Sequence, residues 1–391
     1  MLPGILEMKS HPPKFAILVL GLTPFLHAPA GAEEAADEAS AIAWVQQRTG
    51  KIVRDEKHPD RPVVEVYFQG PYGPDPNFGD EGLTKLLAFP DLRSLRLVRS
   101  NVTDAGMTVL TQFRNLQELD LTWTQVTDTG VERLAGIKSL RVLDLAQTTF
   151  TGTSLKTLAG HRQLVNLGVQ GTQMGDDALK HLELLPNLTT LSVYHTAVTD
   201  AGIKHLTRLP SLRELDLGWN DLTDEGVKEV AALTKLRHLE LYNNPITDAS
   251  LKALSKLREL ESLGLELTKV SDSGLKEVAK LKQLRSLSLA STKVSDAGLE
   301  EVAKLRQLYS LSLSSCLSVN SAGMGHLTSL KQLNIYKTSV TDIGLAVLYE
   351  STNLQKSLKR LDTGYTKISD SGLRRAQHAM PACNIYDGYH E

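Results

Sequence analysis

A 24-residue period constrains this chain more than any other feature. The pattern L-x-x-L-x-L-x-x-T/N-x-V-T/S-D-x-G-L-x-x-L-x-x-L begins at Leu92, Leu116, Leu140, Leu164, Leu188, Leu212, Leu236, Leu260, Leu284 and Leu308, without a slipped residue. Further copies begin at Leu330 and Leu358, after steps of 22 and 28 residues. A degenerate copy, Val63-x-x-Val66-x-Phe68, precedes them and carries a five-residue insertion around Pro71 to Pro76. A half copy, Ala382-x-x-Ile385, follows them. Such a period marks stacked units, so 391 residues need not mean two or three globular domains.

Each stretch of the repeat has a physical reading. L-x-x-L-x-L places its fourth and sixth residues on one face of a short strand, and copies pair side by side at about 4.8 Å per rung. The ninth position is Thr or Asn in most copies (Thr124, Thr196, Asn220, Asn244 and Thr268 among them). There the chain turns inward, and the side chain is expected to bond the backbone of the next rung; a plain turn preference explains the same residues. Thr/Ser-Asp follows, as in Thr199-Asp200, and one of the two should cap a helix N-terminus. Apolar residues three apart then share one helix face. A lone unit cannot bury its apolar face, whereas stacking shares each face between neighbours. Strand–helix–strand crossovers are right-handed as a rule, so the expected fold is α/β, a single right-handed solenoid.

The repeat resembles that of leucine-rich-repeat proteins. Val198 to Ile203 (V-T-D-A-G-I) and Val294 to Leu299 (V-S-D-A-G-L) are similar to the ribonuclease-inhibitor-like and cysteine-containing subclass. That subclass includes the repeat portion of F-box proteins and many exported bacterial leucine-rich-repeat proteins. The resemblance covers about residues 63–391. It implies a horseshoe with the parallel sheet on the concave face and helices on the convex face, and protein recognition as the usual task. It carries over no catalytic residue, because the motif contains none. Residues 150–154 depart from it, reading F-T-G-T-S, and the copies at Leu308 and Leu330 carry indels.

The start of the chain reads as an address. Lys9 and Lys14 precede an apolar run from Phe15 to Leu26, and small residues follow from Ala28 to Ala32. This is the layout of a signal peptide, with cleavage near Ala30 or Ala32. The run is too short to span a bilayer as a mature helix, so the mature chain is expected to be exported (secreted, periplasmic or cell-surface) with no membrane span. An uncleaved anchor is the alternative. The expected domains are a signal peptide at 1–32, a leader and capping helix at 33–62, and the repeats at 63–391. Ile42, Trp44 and Val45 give the leader an apolar face. A disordered stalk is the rival reading of 33–48.

Composition narrows the function. Lys and Arg number 43 against 45 Asp and Glu, which excludes a strongly basic nucleic-acid binder. Two cysteines give no disulfide framework. Cys316 and Cys383 belong to rungs three steps apart, about 14 Å, against the roughly 7 Å that a disulfide spans between Cα atoms. Both are expected to be free thiols. No phosphate-binding, dinucleotide, zinc-protease or nucleophile-elbow motif appears. His181 and His205 fall 24 residues apart with no third ligand in phase, so no metal site and no cofactor are expected.

The informative positions are those the fold does not use. Positions 3, 5 and 7 of each rung should face out of the concave sheet, with position 8 at its rim. They hold Glu118, Asp120, Trp123, Asp144, Tyr194, His195, Glu214, Asp216, Trp219, His238, Glu240 and Tyr242, although only 5% of the chain is aromatic. Exposed Trp and Tyr beside fixed charge are hot-spot material. The bland reading is solvated acids, with aromatics packing on neighbouring rungs. The expected function is a non-catalytic, monomeric, exported module that binds a protein or peptide with a basic patch. Its centre should lie on the rungs beginning at Leu188, Leu212 and Leu236. One alternative is an F-box-type adaptor in ubiquitin-dependent degradation, but residues 33–62 are too short for the F-box. Another is a glycosidase using Asp216 and Glu240, about 5 Å apart, near the retaining separation. Against it, acids on an open face are expected to be solvated, with neither pKa raised.

Overall fold

A computed structural model describes residues 32–68, 78–328 and 330–388. The expected leader sequence through Gly31 and the insertion around Pro71 to Pro76 lie outside the described residues. Fifteen strands among the described residues form one open sheet whose order follows the chain. Neighbouring rungs pair in parallel and in strict register: Glu214 faces His238, Leu215 faces Leu239 and Asp216 faces Glu240. On the other side of the same strand, Gly264 faces Glu240. The 24-residue period therefore places equal repeat positions side by side along the solenoid.

The rung at Leu212 shows why each unit folds as it does. Leu212, Leu215, Leu217, Leu222, Val227 and Val230 are all buried, in one core continuous with the neighbouring rungs. Helix Asp224–Val230 starts at Thr223, whose side chain accepts from the Glu225 N–H. Thr223 also donates its N–H (2.8 Å) and its hydroxyl (2.5 Å) to Asp200 of the preceding rung. The Thr-Asp pair thus has two tasks: Thr caps its own helix, and Asp clamps the next rung. Thr247 on Asp224 and Ser295 on Asp272 repeat the arrangement. Gly226 completes it, because a Cβ there would collide with the Asp200 carboxylate.

The ninth position differs in part from the expectation. Thr124 bonds the Leu121 carbonyl of its own rung (2.7 Å), as Thr148 and Thr268 bond theirs. Thr196 does the same toward Val193 (2.8 Å) and also donates its hydroxyl to Asn220 Oδ1 of the next rung (3.2 Å). Asn220 reaches across, donating to Val193 of the preceding rung (2.9 Å) and to Leu217 of its own (3.0 Å). At this position the bonds to a neighbouring rung's backbone run to the preceding rung, from Asn220 to Val193, from Asn244 to Leu217 and from Cys316 to Leu289.

The ends and the irregular copies follow their sequences. Helix Ala32–Gln47 packs Ala41 and Val45 into the core, and the Trp44 and Phe78 rings lie 5.6 Å apart. The region expected to hold only a leader and helix also contains strand Gly50–Arg54, which pairs antiparallel with Val63–Phe68 and covers the first edge of the sheet. Strand Asn384–Tyr386 closes the other end. Where residues 150–154 depart from the repeat, Leu155–Gly160 forms a 3-10 helix. The shortened copy has a 3-10 turn at Gly323–His326, and the lengthened one adds helix Thr352–Ser357. Cys316 and Cys383 are free and buried. No helix among the described residues is long and apolar enough to cross a membrane.

Candidate binding surface

Position 8 forms a ridge along the edge of the sheet, and its backbone is left-handed. Trp123, His195, Trp219 and Tyr365 have φ of 60°, 50°, 52° and 55°, and Arg99, Asn243, Leu267 and Ser291 share that conformation. The turn demands it of every rung, although it costs an L-residue on the order of 1 kcal/mol. Glycine, or Asn, would meet the demand more cheaply. What the fold does not demand is a large side chain there, yet Trp123 and Trp219 are 52% and 41% exposed.

The rungs at Leu188, Leu212 and Leu236 bring four aromatic rings into one chain of contacts. Tyr242 lies 5.6 Å from Tyr194, Tyr194 lies 5.9 Å from His195, and His195 meets Trp219 edge-on at 5.8 Å. The first two stand at position 7 on the sheet face and the last two on the ridge. The cluster therefore turns the corner between them. Behind the ridge, a shallow cleft of about 510 Å³ runs past His195, Trp219 and Asn243. Glu214 and His238 are exposed on the same rungs, and no hydrogen bond or ion pair holds either side chain among the described residues.

Beside Tyr194 and Tyr242 stand Asp216 and Glu240, with Glu266 of the next rung. The expectation of solvated acids with unraised pKa values is overturned here. Burial pushes Asp216 up to about 6, against hydrogen bonds from the Gly218 N–H and the Ser192 hydroxyl. Burial, then the charges of Glu266 and Asp216, push Glu240 up to about 8. Burial and Asp216 raise both tyrosines. The physical reason is the rung spacing: each acid has a neighbouring rung about 4.8 Å away on either side, and the side chains there exclude water.

The acids are not equivalent. Asp216 accepts from the Gly218 N–H at 3.0 Å, as Asp120 accepts from Thr122 (3.0 Å) and Asp144 from Ala146 (2.9 Å). An Asp at position 5 thus ties down its own backbone two residues on. Glu240, one methylene longer, makes no such bond, and one carboxylate oxygen of Glu266 (Oε2) is buried without a hydrogen-bond partner. Glu266 was absent from the sequence-derived set. It stands at position 7, where that reading sought aromatics only.

The remaining sequence-derived residues lie apart. Glu118 and Asp120 are on strand Glu118–Asp120 and Asp144 is on Val142–Asp144, separated from the aromatic cluster by Asn166–Gly168. Glu118 accepts from Ser94 (3.0 Å), and Trp123 carries the Arg99 guanidinium 5.8 Å from its ring. Burial, then Asp120, raises Asp144 to about 6. The twelve residues therefore form two patches rather than one. No group of three His, Cys, Asp or Glu side chains suited to a metal ion occurs among the described residues.

Comparison with known proteins agrees with this architecture. Residues 114–135, 208–231, 232–255 and 281–303 match a family model described as a leucine-rich repeat. No curated protein matches the chain. Among solved structures, an internalin from Listeria monocytogenes is similar over 91% of this chain and 96% of its own, with a TM-score of 0.58 and 22% identity. A leucine-rich-repeat protein of Leptospira interrogans is similar over 77% of this chain and 74% of its own, with a TM-score of 0.48 and 24% identity.

Proposed function

We propose, from the premise that the chain is a leucine-rich-repeat protein, that it is an exported, monomeric, non-catalytic module. In this reading it binds a protein or peptide with a basic patch through the rungs at Leu188, Leu212 and Leu236. The observation that carries the reading is the run of Tyr242, Tyr194, His195 and Trp219, continuous from sheet face to ridge and flanked by unpaired acids. Aromatic anchors supply most of the energy of such interfaces. Exposed acids such as Glu214 supply on-rate and specificity, so binding weakens as salt rises. Export rests on the leader at Lys9 to Ala32. Mass spectrometry of the native protein should find a mature N-terminus near Ala30 or Ala32, and a terminus at Met1 or Met8 would refute export by cleavage.

The test of the surface is capture with the mature protein beside the double variant Trp219→Ala, Tyr242→Ala. A partner lost only from the variant is then titrated against Trp219→Ala and against Ser288→Ala as control. Equal affinities for two folded variants would move the site elsewhere.

One observation favours a second reading. Asp216 and Glu240 face each other across adjacent strands, and both have raised pKa values, as an acid catalyst requires. The cleft, however, lies behind the ridge and is lined by neither acid. Release of a chromogenic aryl glycoside by wild type but not by Glu240→Gln would favour that reading over the first.

A further inference from the structure

We propose that Asp216, Glu240 and Glu266 form a cradle for one arginine side chain of the bound partner, and that seating it expels a proton. This inference rests on the concave-face reading above and names the group that face recognises. Three geometric observations carry it. First, the three acids come from three consecutive rungs, and no Lys, Arg or His pairs with any of them among the described residues. Second, Glu266 Oε2 is buried without a partner and the Glu240 carboxylate makes no hydrogen bond or ion pair among the described residues, so acceptors stand there with no described donor to meet them. Third, Gly264 faces Glu240 at position 5, and a Cβ there would collide with the Glu240 carboxylate, so the glycine makes room for the acid.

The chemistry selects a guanidinium over an ammonium. Once the shared proton has left, the three carboxylates offer acceptors alone, spread over rungs about 4.8 Å apart. A planar fork with five N–H groups can span two carboxylates, whereas an ammonium is a compact point charge. Guanidinium is also the more weakly hydrated, and it stacks on aromatic faces. The Tyr194 and Tyr242 rings beside the acids provide such faces. The charged and titratable groups around Glu240 are Asp216, Glu266 and Tyr242, with His238 two residues before it on its own strand; the rung beyond offers only Ser286, Ser288 and Ala290. With Glu240 raised to about 8, the cradle holds a proton at neutral pH, and a seated cation would release it to solvent.

The experiment is isothermal titration of the whole mature protein with an N-acetylated, C-amidated hexa-arginine peptide. Two buffers of different ionisation enthalpy count the protons exchanged, and hexalysine and hexacitrulline serve as comparison peptides. At pH 7 the expected result is release of close to one proton, with affinity rising about tenfold per pH unit between pH 6 and 7.5. Glu240→Gln should abolish the release and flatten the pH dependence, and hexalysine should bind at least about tenfold more weakly. Glu266→Gln is the second variant should Glu240→Gln fail to fold. Absence of hexa-arginine binding, equal binding of hexalysine, or an unchanged proton count in the Gln variants overturns the proposal. If Trp219→Ala weakens the peptide while the Gln variants do not, the surface stands and the cradle falls. If none of the variants changes binding, both fall.

Discussion

Replacing Glu240 by Gln should stabilise this protein, by an amount that grows with pH. Glu240 is flanked by Asp216 and Glu266 on the neighbouring rungs, and burial with those two charges lifts its pKa from 4.5 to about 8. A carboxyl so raised binds more protons folded than unfolded between those two values. Its contribution to stability therefore falls as pH rises through that window, the opposite of a salt-bridged acid. At 1.36 kcal/mol per pH unit the ionisation penalty is at most about 1 kcal/mol at pH 5, about 3 at pH 7 and about 4 at pH 8. Residual water contact lowers all three figures. Glutamine keeps the shape and removes the titration. The assay is urea unfolding followed by circular dichroism, for wild type and Glu240→Gln, near pH 5 and pH 8. The gap in favour of the variant should widen by one to a few kcal/mol between them. A variant no more stable than wild type at pH 8, or a gap equal at both pH values, would refute the argument that rung packing desolvates this acid.

Three further outcomes follow from the same structure. Asp128→Ala should cost about 2–4 kcal/mol in urea unfolding, because it strands the N–H and hydroxyl donors of Thr151 and Ser154. Burial raises the Asp128 pKa, but those bonds outweigh it and hold the value below 3.8, so this clamp should weaken only as pH falls below about 4. Trp219→Gly should leave the melting temperature unchanged or slightly higher, since it relieves the left-handed backbone at φ 52°, while partner affinity falls by about 2 kcal/mol. Leu239→Ala, at a fully buried rung position, should cost about 2–5 kcal/mol, measured as a loss in urea midpoint.

The rungs were legible because period and register are one fact: 24 residues bring Leu215 beside Leu239, and the strict spacing leaves no alternative pairing. The Thr-Asp signal was half legible. A cap can be read from residue type, but the clamp from Asp200 to Thr223 becomes visible only when two rungs are laid side by side. Strand Gly50–Arg54 left no trace, because K-I-V-R carries no repeat phase and its partner is the degenerate copy. The acids were misread for a definite reason. An open face suggested free solvation, whereas the exposure of one side chain depends on both neighbouring rungs. Glu266 was within reach of the sequence. A Glu at position 7, a Gly at position 5 of the same rung and a Glu at position 5 of the rung before can be read along a diagonal.

A solenoid of this kind asks little of its concave side chains, and the rungs at Leu284 and Leu308 show how little. Ser286, Ser288, Ser310 and Ser312 occupy the face there, and Ser291 and Ser315 meet the left-handed turn. The rungs from Leu188 to Leu260 have the same backbone, register and core, yet they carry bulky residues at strained φ and carboxylates pressed against one another. Each departure lowers stability, and nothing in the architecture requires it, since the serine rungs do without. Local choices that work against the fold while the fold tolerates them are expected where a surface is kept for binding. Such costs also fall at Trp123, Asp144 and Tyr365, and from Leu188 to Leu260 they run over consecutive rungs that aromatic contacts join into one patch. The rungs from Leu188 to Leu260 therefore carry energies that the serine rungs show to be avoidable.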